Sequence, residues 1–168
     1  MKVGFIGLGT MGAYMAANLS KYLESSNHGL VVHDVRREAA EPFLAKGAAW
    51  AASPRAVAEA CDVVFLSLPG PKEVEAVATA DGDGLIGGLK AGGAVFDLST
   101  NAPSMVRKIA AQFAEKGCHF LDAPVSGGPS GARSGRLAIW VGGDKASFDE
   151  YKVLLDAFAD QARYIGAI

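Results

Sequence analysis

Doubly wound α/β, with a mostly parallel sheet in a single domain, is the fold class that this 168-residue sequence predicts. Three observations lead there. Short apolar runs, many of them β-branched, alternate with helical stretches along the chain, the pattern of parallel strands joined by crossover helices. Most of these runs are apolar nearly throughout instead of alternating in polarity, as expected of strands covered by helices on both faces. The first run ends in Gly7-Leu8-Gly9-Thr10-Met11-Gly12, a glycine spacing that joins a strand to a helix. Half of the residues are hydrophobic, so one domain over residues 1–168 can bury a sizeable core.

Taken in order, the strands are expected at Val3 to Ile6, Leu30 to His33, Val63 to Leu68, Ala94 to Leu98, His119 to Leu121, Leu137 to Val141 and Arg163 to Ile165. The glycines after the first strand open a helix that continues through Asn18 and Leu19 to Tyr22 and Leu23. Ser53-Pro54 starts a helix over Arg55 to Ala60, and Pro103 precedes another over Met105 to Lys116. Proline in a first turn sacrifices no intrahelical bond. Gly117 supplies a left-handed stop before the His119 strand. No internal repeat, low-complexity tract or flexible linker interrupts the series.

Composition narrows the function. The formal charge is -2 and the arginines are scattered, so there is no basic stripe to neutralise a nucleic-acid backbone. Cys61 and Cys118 lack a C-x-x-C spacing and read as reduced, buried, small apolar residues. His28, His33 and His119 share no ligand spacing, and no metal site is expected. Met1 to Ala17 superficially resembles a secretory signal, but its glycines and the helix running on to Leu23 without a cleavage site argue otherwise. No run approaches a membrane span, and a cytoplasmic location is expected.

The glycine turn carries the first chemistry. It follows a strand, opens a helix and is answered by Asp34, 22 residues past Gly12 at the end of the second strand. That combination is the fingerprint of a Rossmann-type dinucleotide site. Gly7 permits a tight reversal, Gly9 lets the backbone approach a pyrophosphate, and Gly12 lets the helix pack on the strand. The candidate cradle is the whole turn, Gly7, Leu8, Gly9, Thr10, Met11 and Gly12, where an anion meets unpaired helix N–H groups. Asp34 is expected to accept hydrogen bonds from the adenosine ribose, which favours NAD. A 2′-phosphate ~4 Å from that carboxylate would meet roughly 4 kcal/mol of repulsion per charge pair at an effective dielectric near 20. Arg36 and Arg37 follow at once, so NADP stays possible if either clamps such a phosphate.

Ligands of open α/β sheets lie beyond the carboxyl ends of strands. That rule adds Leu68, Pro69 and Thr100 as candidate cofactor neighbours, Thr100 being equally suited to cap the next helix. Ser126, Gly127 and Gly128 can turn consecutive N–H groups toward a carboxylate or phosphate, or form only a turn. Asp122, flanked by apolar residues, reads as a turn-anchoring acceptor ahead of a general base. Pro124 stands where a nucleophile elbow needs glycine, and no P-loop sequence occurs.

Together, Gly7 to Gly12, Leu68-Pro69, Asp97-Leu98-Ser99-Thr100 and Asp122 to Gly135 resemble the β-hydroxyacid dehydrogenases of the 3-hydroxyisobutyrate dehydrogenase type. The resemblance spans nearly the whole chain. Its most specific part is Asp122-Ala123-Pro124-Val125-Ser126-Gly127-Gly128, continued by Gly131 to Gly135 and closed by Val141-Gly142-Gly143. It implies that Ser126, Gly127 and Gly128 hold the carboxylate of a small hydroxy acid, and Asp34-Val35 looks like the NAD-using members. The implied reaction is hydride transfer between a 3-hydroxy carboxylate and the nicotinamide. Family members continue past a segment like Tyr164 to Ile168 into a helical domain bearing a lysine general acid/base. The resemblance therefore implies a catalytic lysine beyond Ile168, no catalytic residue within these 168, and a homo-oligomer at full length. Neither Lys116 nor Lys145 is placed to substitute for that lysine. A non-catalytic dinucleotide-binding module and a reductase of imine-type substrates are the alternatives.

Overall fold

A computed structural model describes residues 1–168. Five parallel strands form its centre: β1 (Lys2–Ile6), β2 (Gly29–His33), β4 (Val63–Leu66), β5 (Ala94–Asp97) and β6 (His119–Asp122), with the short β3 (Ala49–Trp50) beside β2. The helices between them are α1 (Thr10–Ser25), α2 (Glu41–Leu44), α3 (Pro54–Ala60), α4 (Pro71–Thr79) and α5 (Pro103–Glu115). After β6 come β7 (Val125–Ser126), α6 (Gly128–Ser134), β8 (Leu137–Gly142), α7 (Lys145–Leu155) and β9 (Ala159–Gly166). The sheet order is β3-β2-β1-β4-β5-β6-β8-β7, with β9 pairing β8. β8 runs antiparallel to both β6 and β7, and β9 runs parallel to β8. The expected doubly wound, mostly parallel sheet is thus present, and its order reverses between β1 and β4.

Both faces of the sheet are covered, which explains the continuous apolar strands. Val3 and Phe5 of β1 point to the side carrying α1 and α7, where Met15, Leu19, Phe148 and Leu154 are buried. Ile6 points to the side carrying α3, α4 and α5, with Val57, Val74 and Ile109. On the first side Phe65 is fully buried between Phe5 and Phe96, at centroid distances of 6.3 and 5.4 Å, and Phe158 meets its ring edge-on at 5.9 Å. On the second, a Cβ added to Gly4 would sit 2.5 Å from Val57 Cγ1, so this glycine lets α3 lie close on β1.

Local signals act as the sequence predicts in several places. Ser53 Oγ accepts from Ala56 N at 3.2 Å and caps α3, whose first residue is Pro54. Gly117 ends α5 with φ +68°. Cys61 and Cys118 are free and buried, and burial pushes the Cys61 thiol up to about 12. No helix is long and apolar enough to cross a membrane.

The differences lie where tertiary contacts decide. β3 and β7 have two residues each, too few to show a period. β4 and β5 stop at Leu66 and Asp97, and beyond them Leu68 N donates to the buried Ser99 hydroxyl. β9 begins at Ala159, four residues before Arg163, since pairing with β8 holds a stretch whose polar Asp160 and Gln161 hide a strand signal. Gly128 to Ser134, where the sequence predicts no helix, is helix α6.

Phe65→Ala would leave a void at the centre of the sheet and is expected to cost about 3 to 5 kcal/mol. Urea unfolding followed by circular dichroism checks this through the midpoint.

Candidate functional site

Three backbone segments meet at the carboxyl end of β1, and glycine is required there for space. A Cβ on Gly7, whose φ is +94°, would fall 2.1 Å from Ser67 O. One on Gly12 would fall 1.9 Å from Gly7 O. These contacts seat the first turn of α1 against the ends of β1 and β4. A Cβ on Gly9, by contrast, would meet nothing within 4 Å. Gly9 is the N-cap of α1 and offers no side chain to the helix N–H groups. An uncapped helix start facing open space is suited to an anion, and its dipole adds ~0.3 to 1 kcal/mol per charge.

Asp34 stands across this turn and is 8% exposed. Its Oδ2 accepts from Leu8 N at 2.7 Å and its Oδ1 from Arg36 N at 2.8 Å. Each oxygen keeps a further lone pair for a ligand hydroxyl. Leu8 itself is buried in the core, so it serves the site by holding Asp34.

A cleft of about 560 Å³ opens at the reversal of strand order, the position expected for ligands of open α/β sheets. Of the residues singled out in the sequence, it gathers Gly7, Gly9, Thr10, Met11 and Gly12, then Asp34 and Arg36, then Leu68 and Pro69. Val35, noted with Asp34 in the sequence, also lines it, as do His33, Ser67, Glu73, Ala76 and Val77, which were not anticipated. The Gly70-Pro71 start of α4 was the available signal for the last three. The two arginines separate: Arg36 is on the cleft with Nε 3.8 Å from Asp34 Oδ1, whereas the Arg37 guanidinium lies 5.6 Å over the Trp50 ring.

Next to the cleft, a chain of hydrogen bonds fixes the β4 and β5 ends. Leu68 N donates to Ser99 Oγ at 2.9 Å, and Ser99 N donates to Asp97 Oδ1 at 3.0 Å. Asn101 Nδ2 donates to Asp97 Oδ2 at 2.9 Å. Asp97 is fully buried, and burial raises its pKa against the pull of the Ser99 and Asn101 hydrogen bonds. Asp122 pairs with it across β5 and β6. Burial, then the charge of Asp97, push Asp122 up to about 6. Asp122 anchors no turn; it lines a separate cavity of about 200 Å³ with Arg107 and Ile165. Thr100 caps nothing either, since the N-cap of α5 is Ala102 and Asn101 Oδ1 accepts from Ala102 N at 2.8 Å. It is exposed and lies outside the large cleft.

Ser126, Gly127 and Gly128 also lie outside that cleft. Ser126 ends β7, paired with Ala138, while Gly127 and Gly128 open α6 with φ +134° and +59°. Helix α6 is fastened to α1: Asn18 Nδ2 donates to Ala132 O at 2.8 Å, and the Arg133 guanidinium covers the Tyr14 ring at 4.7 Å and donates to its hydroxyl. Sequence reading missed Tyr14 and Asn18, which bear no motif.

Residues 2–166 match the family described as the NAD binding domain of 6-phosphogluconate dehydrogenase. The chain belongs to this family. It is an NAD(P)-binding Rossmann domain, and its relatives include 3-hydroxyisobutyrate dehydrogenases, the family that the sequence motifs resemble. It is 39% identical to 2-hydroxy-3-oxopropionate reductase of Escherichia coli (strain K12) over 166 residues, covering 99% of this chain and 55% of that protein. It is 38% identical to the mitochondrial 3-hydroxyisobutyrate dehydrogenase of Mus musculus, covering 99% of this chain and 48% of that one. Among solved structures, Psf3 in complex with NADP+ and 2-OPP superposes with a TM-score of 0.90 at 35% identity, over 98% of this chain and 56% of that one. The Streptomyces aurantiacus imine reductase superposes at 0.79 with 25% identity, over 99% of this chain and 56% of its own. The chain spans about half the length of the relatives it matches.

The acid pair gives this domain a pH dependence with a definite sign. The native Asp122 holds its proton to about pH 6 against ~3.9 for an unfolded aspartate, so its contribution is present below about pH 4 and is lost as pH rises through about 6. Asp122→Asn is expected to be near neutral at pH 4 and stabilising by on the order of 1 kcal/mol above pH 7, partial exposure reducing the full linkage value. Thermal melts of both proteins across pH 4 to 8 check it.

Proposed function

We propose that this chain is the cofactor-binding domain of an NAD(P)-dependent oxidoreductase that interconverts a small 3-hydroxy carboxylate and its aldehyde or ketone. One observation carries the reading: an uncapped helix start at Gly9 and a buried, doubly bonded Asp34 face the same cleft at the point where strand order reverses. The residues fit a dinucleotide. Gly9 leaves room for a pyrophosphate, the N–H groups of Thr10, Met11 and Gly12 point to its charge, and Asp34 accepts from the ribose hydroxyls. When bound, the nicotinamide supplies the carbon that accepts or returns hydride.

Within this reading Leu68, Pro69 and Thr100 border the nicotinamide half of the cofactor, and Ser126, Gly127 and Gly128 hold the substrate carboxylate. The relatives with 2-hydroxy-3-oxopropionate reductase and 3-hydroxyisobutyrate dehydrogenase activity by name support the substrate class. The proton of the substrate hydroxyl goes to a lysine outside these 168 residues. A positioned acid/base contributes ~10² to 10⁴ in rate, so the chain alone binds cofactor and turns over poorly. The complete enzyme is a homo-oligomer located in the cytoplasm. A second reading, reduction of an imine, draws on the likeness to the Streptomyces aurantiacus enzyme.

NAD is the preferred cofactor because Asp34 is locked in place by two backbone N–H groups and cannot swing away from a 2′-phosphate without losing both. Calorimetric titration of the 168-residue chain is expected to give about tenfold tighter binding of NADH than of NADPH, equal to ~1.4 kcal/mol. Asp34→Ala is expected to remove that preference. Tighter NADPH binding by the unaltered chain would move discrimination to Arg36, and no binding of either would overturn the dinucleotide reading.

A further inference from the structure

Helix α6 is tied to α1 by side chains that the cofactor cleft does not use. Tyr14 and Asn18 are spaced i and i+4, so they share one face of α1, and both are half-buried. Asn18 Nδ2 donates to Ala132 O at 2.8 Å and to Arg133 O at 3.3 Å. These carbonyls belong to the last turn of α6, where a helix has no N–H of its own left to offer. The N–H groups of Gly135 and Arg136 both go to Gly131 O, leaving Ala132 O and Arg133 O to the Asn18 amide. The Tyr14 ring under the Arg133 guanidinium adds a second tie one turn nearer the start of α1.

Both partners of Asn18 are acceptors, so only a donor fits there; a carboxylate of the same shape would face two carbonyl oxygens. On its other side α6 rests on β8, where a Cβ added to Gly127 or Gly131 would lie 3.0 or 3.2 Å from Leu137 Cδ2. Helix α6 is thus clamped between Leu137 and α1. Ser126 to Gly128, exposed and at the head of α6, inherit its position.

This tie joins the two ends of the reaction proposed above. At 1.5 Å per residue, Asn18 lies about 12 Å along α1 from Thr10. A dinucleotide is referenced to the first turn of α1 through its phosphates. A hydroxy acid is referenced to Asn18 on the same helix, through its carboxylate on Ser126 to Gly128. Hydride transfer needs the reacting carbons within about 3 to 3.5 Å, and a misplacement of about 1 Å costs on the order of 10²-fold. One rigid helix carrying both references supplies that registration without touching either carbon.

We propose that Asn18 is a positioning residue, which by capping α6 from α1 sets where the substrate carboxylate sits relative to the cofactor. The inference rests on the reading of Ser126, Gly127 and Gly128 as the carboxylate site and adds the residue that holds that site in register.

Titration of the 168-residue chain with NADH, and of the NADH-saturated chain with 3-hydroxypropionate, tests both levels separately; two reduced ligands do not react with one another. Asn18→Asp keeps the shape of the side chain and removes the donor. It is expected to weaken 3-hydroxypropionate binding about tenfold, the upper range of one lost hydrogen bond, while NADH affinity stays within about twofold. Asn18→Ala, which sets no charge against the two carbonyls, is expected to weaken the same ligand alone by about threefold. A loss confined to the hydroxy acid separates positioning from support of the fold, which would weaken both ligands together. Unchanged hydroxy-acid binding in Asn18→Asp, or parallel loss of both ligands in both variants, would overturn the role of Asn18 and leave the carboxylate site standing. Binding of NADH but not of 3-hydroxypropionate by the unaltered chain would overturn the carboxylate site and this inference with it. Binding of neither would overturn the dinucleotide reading as well.

Discussion

At the carboxyl end of β1 the backbone of the turn, the first turn of α1 and the end of β4 lie so close that no side chain fits between them. Gly7 against Ser67 O and Gly12 against Gly7 O are the two contacts that set this approach. A Cβ at either point would push α1 off the sheet, and with it the helix start at Gly9. The same turn presents Leu8 N to Asp34. The geometry that opens the helix start at Gly9 and the geometry that holds Asp34 are therefore one constraint, set within the same six residues.

Electrostatics around the cleft follow from which acids have partners. Asp34 has two backbone donors and stands ready to accept from a neutral hydroxyl. Asp97 has Ser99 and Asn101, and through Ser99 it ties the Leu68 end of β4 to the end of β5. Asp122 has no such donor and lies beside Asp97, so burial and the neighbouring charge favour its protonated form. That unfavourable juxtaposition sits at the carboxyl ends of adjacent strands, where the backbone order of the sheet forces neighbours together.

Helix α1 reaches further than the cofactor turn. Its outer face grips α6 through Asn18 and Tyr14, so the segment from Ser126 to Gly128 is referenced to the same rigid helix whose start faces the cleft. Two places far apart in the chain thereby share one mechanical support. The apolar core beneath, centred on Phe65 and its neighbours, keeps that support from shifting on the sheet.

By itself the sequence determined the elements whose signals are local. Apolar runs marked every strand of the parallel centre except β3, proline and serine marked the starts of α3 and α5, and glycine spacing with Asp34 marked the dinucleotide turn. These depend on residues near one another, so period and position suffice. Only the tertiary structure decided that Leu8 acts from the core through its N–H, that Arg36 reaches the cleft while Arg37 stacks on Trp50, and that Thr100 caps nothing. It also brought Glu73 to the cleft and set Asp97 beside Asp122. Those outcomes depend on which strands become neighbours and which face of each helix meets the sheet, and no short window of residues contains that information.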